Sequence, residues 1–103
     1  MYYIYILRCS DNTLYTGITK NMQKRMKEHC FKHKNGAKYT KTRDIIALEA
    51  VYSCDNRSLA LKLEYKIKQY SKKQKEEILQ NPQILTCDEY TIEARKDLKD
   101  YLK

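Results

Sequence analysis

Two short apolar runs open the chain, and a polar segment separates them. Tyr2 to Leu7 is rich in Tyr and Ile, and Leu14 to Ile18 is the second apolar run. Between them, residues 10–13 read Ser-Asp-Asn-Thr, residue types that favour turns because their side chains bond the local backbone. The pattern predicts a β-hairpin built from two largely buried strands.

After the hairpin, the spacing of apolar residues changes to that of a helix. Arg25 and His29 lie four residues apart and therefore share one helical face. Thr19 or Asn21 can cap the start of this helix, and Asn35-Gly36 predicts its end. The neighbouring apolar stripe consists of Met22, Met26 and Cys30.

A third strand and three further helices follow. Ile45 to Ser53 alternates as a strand, with Ile46, Leu48, Ala50 and Tyr52 on one face and Ile45, Ala47, Glu49 and Val51 on the other. Asp55 or Asn56 can cap a second helix, and Ser71 with Gln74 forms a capping-box pattern for a short helix that ends near Pro82. Thr86 with Glu89 repeats that pattern before a last amphipathic helix through Ala94, Leu98 and Tyr101 or Leu102.

The element order ββαβααα predicts an α+β fold, in which helices flank a small, mostly antiparallel sheet of three strands. A chain of 103 residues has room for one domain. We expect residues 1–80 to form its body, with a ββαβα core. Residues 81–103 are expected to add an acidic helical extension to the same compact unit.

Charge is distributed unevenly along the chain, whose formal net charge is +8. Residues 1–75 hold 17 Lys and Arg against 6 Asp and Glu, whereas residues 76–103 hold 4 against 7. A basic body favours a phosphate-rich partner, although a solvated helix face would also explain part of the pattern. Candidate nucleic-acid contacts are Lys20, Lys24, Lys27, Lys38, Tyr39, Lys41, Arg43 and Lys68. Among them, the Tyr39 ring between cations suits a base of a nucleic-acid strand.

The four cysteines lack metal-ligand or disulfide-framework spacing, which is typical of a protein from a reducing compartment. The apolar start meets Arg8 at once and has no basic segment before it, so it predicts neither a signal peptide nor a membrane span. We therefore expect a cytoplasmic protein without a membrane partner.

Several polar residues of the predicted elements can converge. Tyr3 and Tyr5 share one face of the first strand, and Tyr15 lies in the strand paired with it. A helix that folds back on the hairpin would bring Arg25 and His29 to these phenols. Glu64 lies on the second helix, as the only carboxylate between Asp55 and Glu76. Such a set supplies what phosphodiester hydrolysis needs: a fork for phosphate oxygens, a group that orients water, and a ligand for a divalent ion.

These residues, in this order, resemble the GIY-YIG nuclease domain. Residues 3–5 read Tyr-Ile-Tyr, residues 15–17 read Tyr-Thr-Gly, and Arg25, His29 and Glu64 follow at matching positions. Residues 3–9, 14–19 and 36–40 also resemble the short stand-alone bacterial members. The resemblance covers Tyr2 to Leu79.

The resemblance implies an endonuclease that uses one Mg²⁺ or Mn²⁺ ion to cleave nucleic acid into 3′-hydroxyl and 5′-phosphate ends, and DNA is favoured over RNA as its substrate. By position, Tyr5 matches the general-base tyrosine, Tyr15 the second motif tyrosine and Glu64 the metal ligand. Arg25 and His29 match the family's arginine and histidine. Gly17 matches the motif glycine, where a side chain would crowd the substrate or the helix start, and Tyr3 replaces the first motif glycine as a supporting residue.

The sequence departs from the family pattern at one point, and it also allows simpler explanations for the tyrosines and for Glu64. Many family nucleases have an asparagine after the metal-binding glutamate, and residues 65–80 contain none. The tyrosines could be ordinary strand residues, and Glu64 could simply pair with Lys68 one turn later. Alternative functions are a DNA- or RNA-binding module without efficient turnover, or an interaction protein whose acidic tail docks on a partner or on its own basic face.

Overall fold

A four-stranded antiparallel sheet forms the centre of the protein. The computed structural model describes residues 1–31, 44–82, 85, 90–93 and 97–102. In the sheet order β2-β1-β3-β4, the strands are β1 (Tyr2–Cys9), β2 (Leu14–Thr19), β3 (Ile45–Cys54) and β4 (Thr91–Ile92). The helices within this part of the chain are α1 (Met22–Cys30), α2 (Arg57–Lys68), α3 (Lys72–Gln80) and α4 (Leu98–Tyr101). None of these helices is long and apolar enough to cross a membrane.

Alternation along β1 divides the core between the two faces of the sheet. Ile4 and Ile6 pack on one face, in a cluster with Leu63 and Ile67 of α2. Tyr5 and Leu7 point to the opposite face, in a second cluster completed by Val51 of β3 and by Met22 and Met26 of α1. Because consecutive strand residues face opposite ways, the candidate tyrosine and α1 come to lie on the same side.

Side-chain caps begin three of the helices as the sequence predicts. The Asn21 side chain accepts a hydrogen bond from the backbone N–H of Lys24 at 3.0 Å, and Asn56 does the same for α2. Ser71 and Gln74 form the reciprocal capping box at the start of α3. The first helix α1 ends at Cys30, however, before Asn35-Gly36, which lies outside the described residues.

A bulge in β3 changes which of its residues face the core. Ile6 pairs with Ala50 and Leu7 pairs with Leu48, so Glu49 has no residue opposite it. The extra residue reverses the alternation, and Leu48 joins the cluster that contains Val51. The predicted face shared by Leu48 with Ala50 and Tyr52 is therefore wrong, since strict alternation cannot anticipate a bulge.

The predicted α+β class is confirmed, but the C-terminal segment differs from the expected helix. Thr91 and Ile92 pair with Ser53 and Tyr52 and add a fourth strand. The pairing satisfies backbone groups on the outer edge of β3, and both added residues are β-branched. A helix forms later, over only the four residues of α4. The capping pattern at residues 86–89 falls outside the described residues.

Arg8 connects the sheet to α3. Its guanidinium lies 2.9 Å from Glu49 Oε2 and 2.6 Å from Glu76 Oε1, and it donates a further hydrogen bond to Asn12 Oδ1 at 2.7 Å. The side chain is 17% exposed. Since the two carboxylates belong to β3 and α3, this network fixes the position of α3 against β1.

Gly17 makes room for the ring of Tyr5. The two residues are directly opposite each other in the β1–β2 pair. A β-carbon on Gly17 would lie 2.5 Å from the Tyr5 hydroxyl oxygen and 2.7 Å from the ring carbon that carries it. The Tyr5 ring is therefore a reason for the motif glycine that the sequence analysis did not give.

Replacing Glu76 by Gln should make stability less dependent on acid pH. The Arg8 hydrogen bond lowers the pKa of Glu76 in the folded protein. The ionised Glu76 therefore stabilises the fold fully above the pKa of an unfolded-chain Glu, about 4.3, and this stabilisation is lost as pH falls through the lower pKa of the folded state. At neutral pH, urea unfolding should show a loss of about 1 kcal/mol, at the low end for charged hydrogen bonds because Glu76 is 33% exposed. The unfolding free energies of the wild-type protein and of Glu76→Gln should converge as pH falls toward about 2. A difference that stays constant with pH would contradict this assignment.

Gly17→Ala should destabilise the protein by about 1–3 kcal/mol, because the added methyl overpacks the buried Tyr5 ring. A double-mutant cycle with Tyr5→Leu, measured by urea unfolding, checks the cause. In the Tyr5→Leu background the cost of the alanine should fall by at least about half, since the clashing ring is gone. An unchanged cost would show that the strain arises elsewhere.

Candidate functional site

A buried hydrogen bond between Tyr5 and His29 lies at the centre of the candidate site. The Tyr5 oxygen lies 2.7 Å from His29 Nε2. Tyr5 is fully buried and His29 is 1% exposed. The register of β1 and the helical position of His29 thus bring together two residues 24 positions apart in the chain.

Arg25 approaches the same phenol from one turn earlier in α1. Its Nε donates to the Tyr5 oxygen at 3.4 Å, a long hydrogen bond. Its Nη1 forms an ion pair with Glu28 Oε1 at 3.2 Å. Glu28 belongs to this site, although the sequence analysis did not name it. Its i,i+3 spacing from Arg25 was the signal that could have identified it.

Tyr15 packs beside both members of the buried pair. Its ring centroid lies 6.4 Å from that of Tyr5 and 5.5 Å from that of His29, in edge-to-face geometry. Such contacts fix ring orientations, since edge-to-face packing is the preferred arrangement of neighbouring aromatic rings. The structure therefore brings Tyr5, Tyr15, Arg25 and His29 into one cluster.

The environment of Tyr5 keeps its phenol protonated. Burial raises the pKa of Tyr5 well above its usual value, and the nearby Tyr15 and Glu64 raise it further. The Arg25 hydrogen bond and charge lower it, but they do not outweigh burial. The Arg25 charge does not bring this pKa below its usual value, because removing a phenolate from water costs more than one partly exposed guanidinium restores. The protonated phenol can therefore donate its hydrogen bond to His29 Nε2 when that nitrogen carries no proton.

Glu64 reaches the edge of this cluster from α2. Its side chain is 17% exposed, and Lys68 Nζ lies 3.3 Å from its Oε2. The carboxylate is close enough to act electrostatically on Tyr5. The i,i+4 pair considered as the simpler explanation for Glu64 is thus present in the structure.

A divalent ion at Glu64 would have few protein ligands. No group of three or more His, Cys, Asp or Glu side chains with metal-binding geometry occurs in the described ranges. Mg²⁺ is commonly held by one or two carboxylates, several waters and substrate phosphates. Glu64 fits that mode, with the substrate completing the coordination, and the structure offers no preformed cage.

The predicted nucleic-acid contacts are only partly described. Lys20 and Lys24 are exposed beside the start of α1 and Lys27 is partly exposed, so all three present positive charge near the cluster. The Lys20 ammonium lies 5.3 Å from the centre of the Tyr2 ring. Lys68 forms an ion pair with Glu64. Outside the described residues are Lys38, Tyr39, Lys41 and Arg43.

Comparison with known proteins agrees with this arrangement. The GIY-YIG catalytic domain matches residues 1–77. A UPF0213 protein of Fusobacterium nucleatum is 48% identical over 84% of this chain and 85% of its own length. A UPF0213 protein of Halobacterium salinarum is 45% identical over 74% of this chain and 96% of its own.

A solved relative has the same fold. The solution NMR structure of a UPF0213 protein from Bacillus halodurans is 35% identical and superimposes with a TM-score of 0.51, covering 78% of this chain and 84% of that one. The domain match points to a nuclease superfamily whose substrates are nucleic acids and whose members generally use divalent metals. By sequence and by fold, the chain belongs to the GIY-YIG family, within its short UPF0213 group.

Proposed function

We propose that this protein is a divalent-metal-dependent endonuclease that hydrolyses phosphodiester bonds in DNA, in branched, nicked or single-stranded structures of repair or recombination. The observation that carries the proposal is the convergence of Tyr5, His29 and Arg25 within hydrogen-bond reach. The Glu64 carboxylate lies within electrostatic range of the same phenol. A module that only binds nucleic acid needs cations, but it has no use for an isolated metal-ligand carboxylate.

The Tyr5–His29 pair can move a proton without ionising in the resting state. With His29 Nε2 unprotonated, the phenol donates to it. Arg25 Nε donates to one lone pair of the phenol oxygen, and the other lone pair is left to accept from a water molecule. As that water attacks phosphorus, its proton can pass to the Tyr5 oxygen while the phenolic proton passes to His29. This route suits a tyrosine whose pKa burial raises, because no free phenolate has to form.

Arg25 is placed to act on the phosphate. Its guanidinium already contacts the Tyr5 oxygen through Nε, and Glu28 holds one of its terminal nitrogens. A guanidinium offers several donors in one plane, so it can bind non-bridging phosphate oxygens while it keeps these contacts. Positive charge held there stabilises the charge that develops in the transition state.

Glu64 would hold the Mg²⁺ or Mn²⁺ ion, which supplies Lewis-acid stabilisation of the phosphate and the leaving oxygen when bound. Lys68 now neutralises this carboxylate at 3.3 Å and would have to turn away from it. Lys68 is 48% exposed, so solvent can accommodate its ammonium in another rotamer.

The Glu64–Lys68 pair also favours a second candidate function. A carboxylate permanently neutralised by its neighbour would leave a basic surface that binds DNA or RNA without turnover. In that case the aromatic cluster beneath α1 would have a structural role only. The two functions differ in whether binding is accompanied by metal-dependent cleavage.

Glu64→Gln should reduce cleavage by about 100-fold or more, because the loss of the metal ligand removes several kcal/mol of transition-state stabilisation. The measurement is nicking of supercoiled plasmid and of labelled branched DNA with Mg²⁺, Mn²⁺ or EDTA. Glu77→Gln is the matched control, since Glu77 is exposed on α3 and its replacement removes the same negative charge. Cleavage that survives in Glu64→Gln or in EDTA would overturn the metal assignment. Binding without any cleavage would establish the second function.

Tyr5→Phe should lower the cleavage rate by about 10²–10⁴-fold, the range typical of a lost acid–base group. DNA affinity should change by less than about threefold, because the buried phenol carries no charge to the surface. Single-turnover rates and filter binding with the same labelled DNA separate the two quantities. A variant with the wild-type rate would remove Tyr5 from the chemistry, while an unfolded variant would be recognised from its circular dichroism spectrum.

A further inference from the structure

A cleft of about 380 Å³ lies beside the Tyr5–His29 pair, on the same face of the sheet. Its walls come from Tyr3 of β1, Val51 of β3 and the start of α1, with Lys20 near its mouth. Glu93 and Tyr101 close it from the C-terminal segment. This volume is at the small end of ligand pockets, which span about 300–1,000 Å³, so it suits one planar ring system better than a whole oligonucleotide.

The cleft is adjacent to the proposed reaction centre. Val51 is the residue directly opposite Tyr5 in the β1–β3 pair. Tyr3 precedes Tyr5 by two positions on the same face of β1, a distance of about 7 Å along a strand. The Tyr5 phenol oxygen itself lies over Gly17 of β2, on the other side of β1 from Val51, so the cleft can take a base that follows near the reacting phosphate along the same nucleic-acid strand.

Glu93 is fixed in the wall by two hydrogen bonds to β3. Its backbone N–H donates to the Val51 carbonyl at 2.9 Å, and its Oε1 accepts a hydrogen bond from the buried Ser53 hydroxyl at 2.5 Å. In the part of the chain that the structure describes, Oε2 of Glu93 has no hydrogen-bond or ion-pair partner. A carboxylate repels phosphate but accepts hydrogen bonds from the amino and imino groups of bases.

Two aromatic side chains accompany this carboxylate. Tyr3 and Tyr101 are both partly buried. Burial raises the pKa of Tyr101, and the Glu93 and Tyr3 side chains raise it further, which places the three groups close together. Tyrosine faces are platforms on which any base can stack, so stacking supplies affinity while the carboxylate supplies selection. Lys20 also lines the cleft, and its exposed ammonium, which lies over the Tyr2 ring, can turn toward the phosphate that follows the base.

We propose that this cleft binds an unpaired base near the cleaved phosphodiester and selects bases with an amino group over thymine, with guanine bound best. Guanine presents two adjacent N–H donors on its Watson–Crick edge, which one carboxylate can accept together. The inference rests on the proposed function for the identity of its ligand. Glu93 and Tyr101 lie beyond the residues 1–77 that match the family, so the selection belongs to this chain's C-terminal segment.

The direct test is binding of mononucleotides to the whole, ¹⁵N-labelled protein, followed by amide chemical shifts. We expect dGMP to bind about 10-fold more tightly than dTMP, as a bidentate contact contributes about 1–3 kcal/mol of discrimination. The amides of Glu93, Tyr101 and Lys20 should shift most. Glu93→Gln should abolish the preference, whereas Glu77→Gln should keep it. Equal affinity for the two nucleotides, or shifts elsewhere, would overturn the proposal.

A second measurement separates this inference from the proposed nuclease activity. Cleavage of single-stranded DNA with a randomised segment should show guanine enriched at one fixed position beside the cut. Glu93→Gln should lose the enrichment and Tyr101→Leu should weaken it, with cutting retained in both. Cutting without any base preference would overturn the proposed base selection by the cleft and leave the proposed nuclease function intact. The absence of cutting, together with selective dGMP binding, would overturn the proposed nuclease function and leave the proposed base selection by the cleft intact.

Discussion

The contact of the Tyr5 phenol with His29 Nε2 is the interaction on which the arrangement of this protein depends. It joins the central strand to α1 inside the core, at 2.7 Å and out of contact with water. Gly17 has no side chain because the Tyr5 ring occupies that space. The same contact sets the rotation of α1, which in turn places Arg25 at the phenol oxygen. One buried hydrogen bond thus explains a glycine, a helix orientation and the position of a cation.

Two isolated carboxylates explain how a basic protein can do more than attract phosphate. The chain carries a formal charge of +8, and this positive field favours the approach of nucleic acid without distinguishing one part of it from another. Glu64 and Glu93 lie on either side of the Tyr5 region, one on α2 and one after β4. On the two proposals made for this protein, Glu64 binds a cation together with phosphate and Glu93 binds a base edge, because a carboxylate repels bare phosphate. Both roles need a defined position: the Glu64 side chain is only 17% exposed on α2, and the Ser53 hydroxyl holds Glu93.

Local patterns predicted the hairpin, the helix caps at Asn21, Asn56 and Ser71, and the grouping of Tyr5, Arg25 and His29, because each depends on near neighbours or on regular periodicity. Three features depend on tertiary context and were missed. The bulge at Glu49 reverses a face of β3. The edge of β3 recruits Thr91 and Ile92 as a strand despite helical signals around them. The pKa of Tyr5 follows from complete burial, which no spacing in the sequence measures.

The most direct test of the central claim is a double-mutant cycle on the single-turnover rate of DNA cleavage, with Tyr5→Phe and His29→Gln. If the pair moves one proton as a unit, each substitution alone should cost about 10²–10⁴-fold, and the double variant should be no more than about threefold slower than either. Circular dichroism and urea unfolding confirm that all variants are folded at the assay temperature. Losses that multiply in the double variant would show that the two residues act independently and would contradict the account.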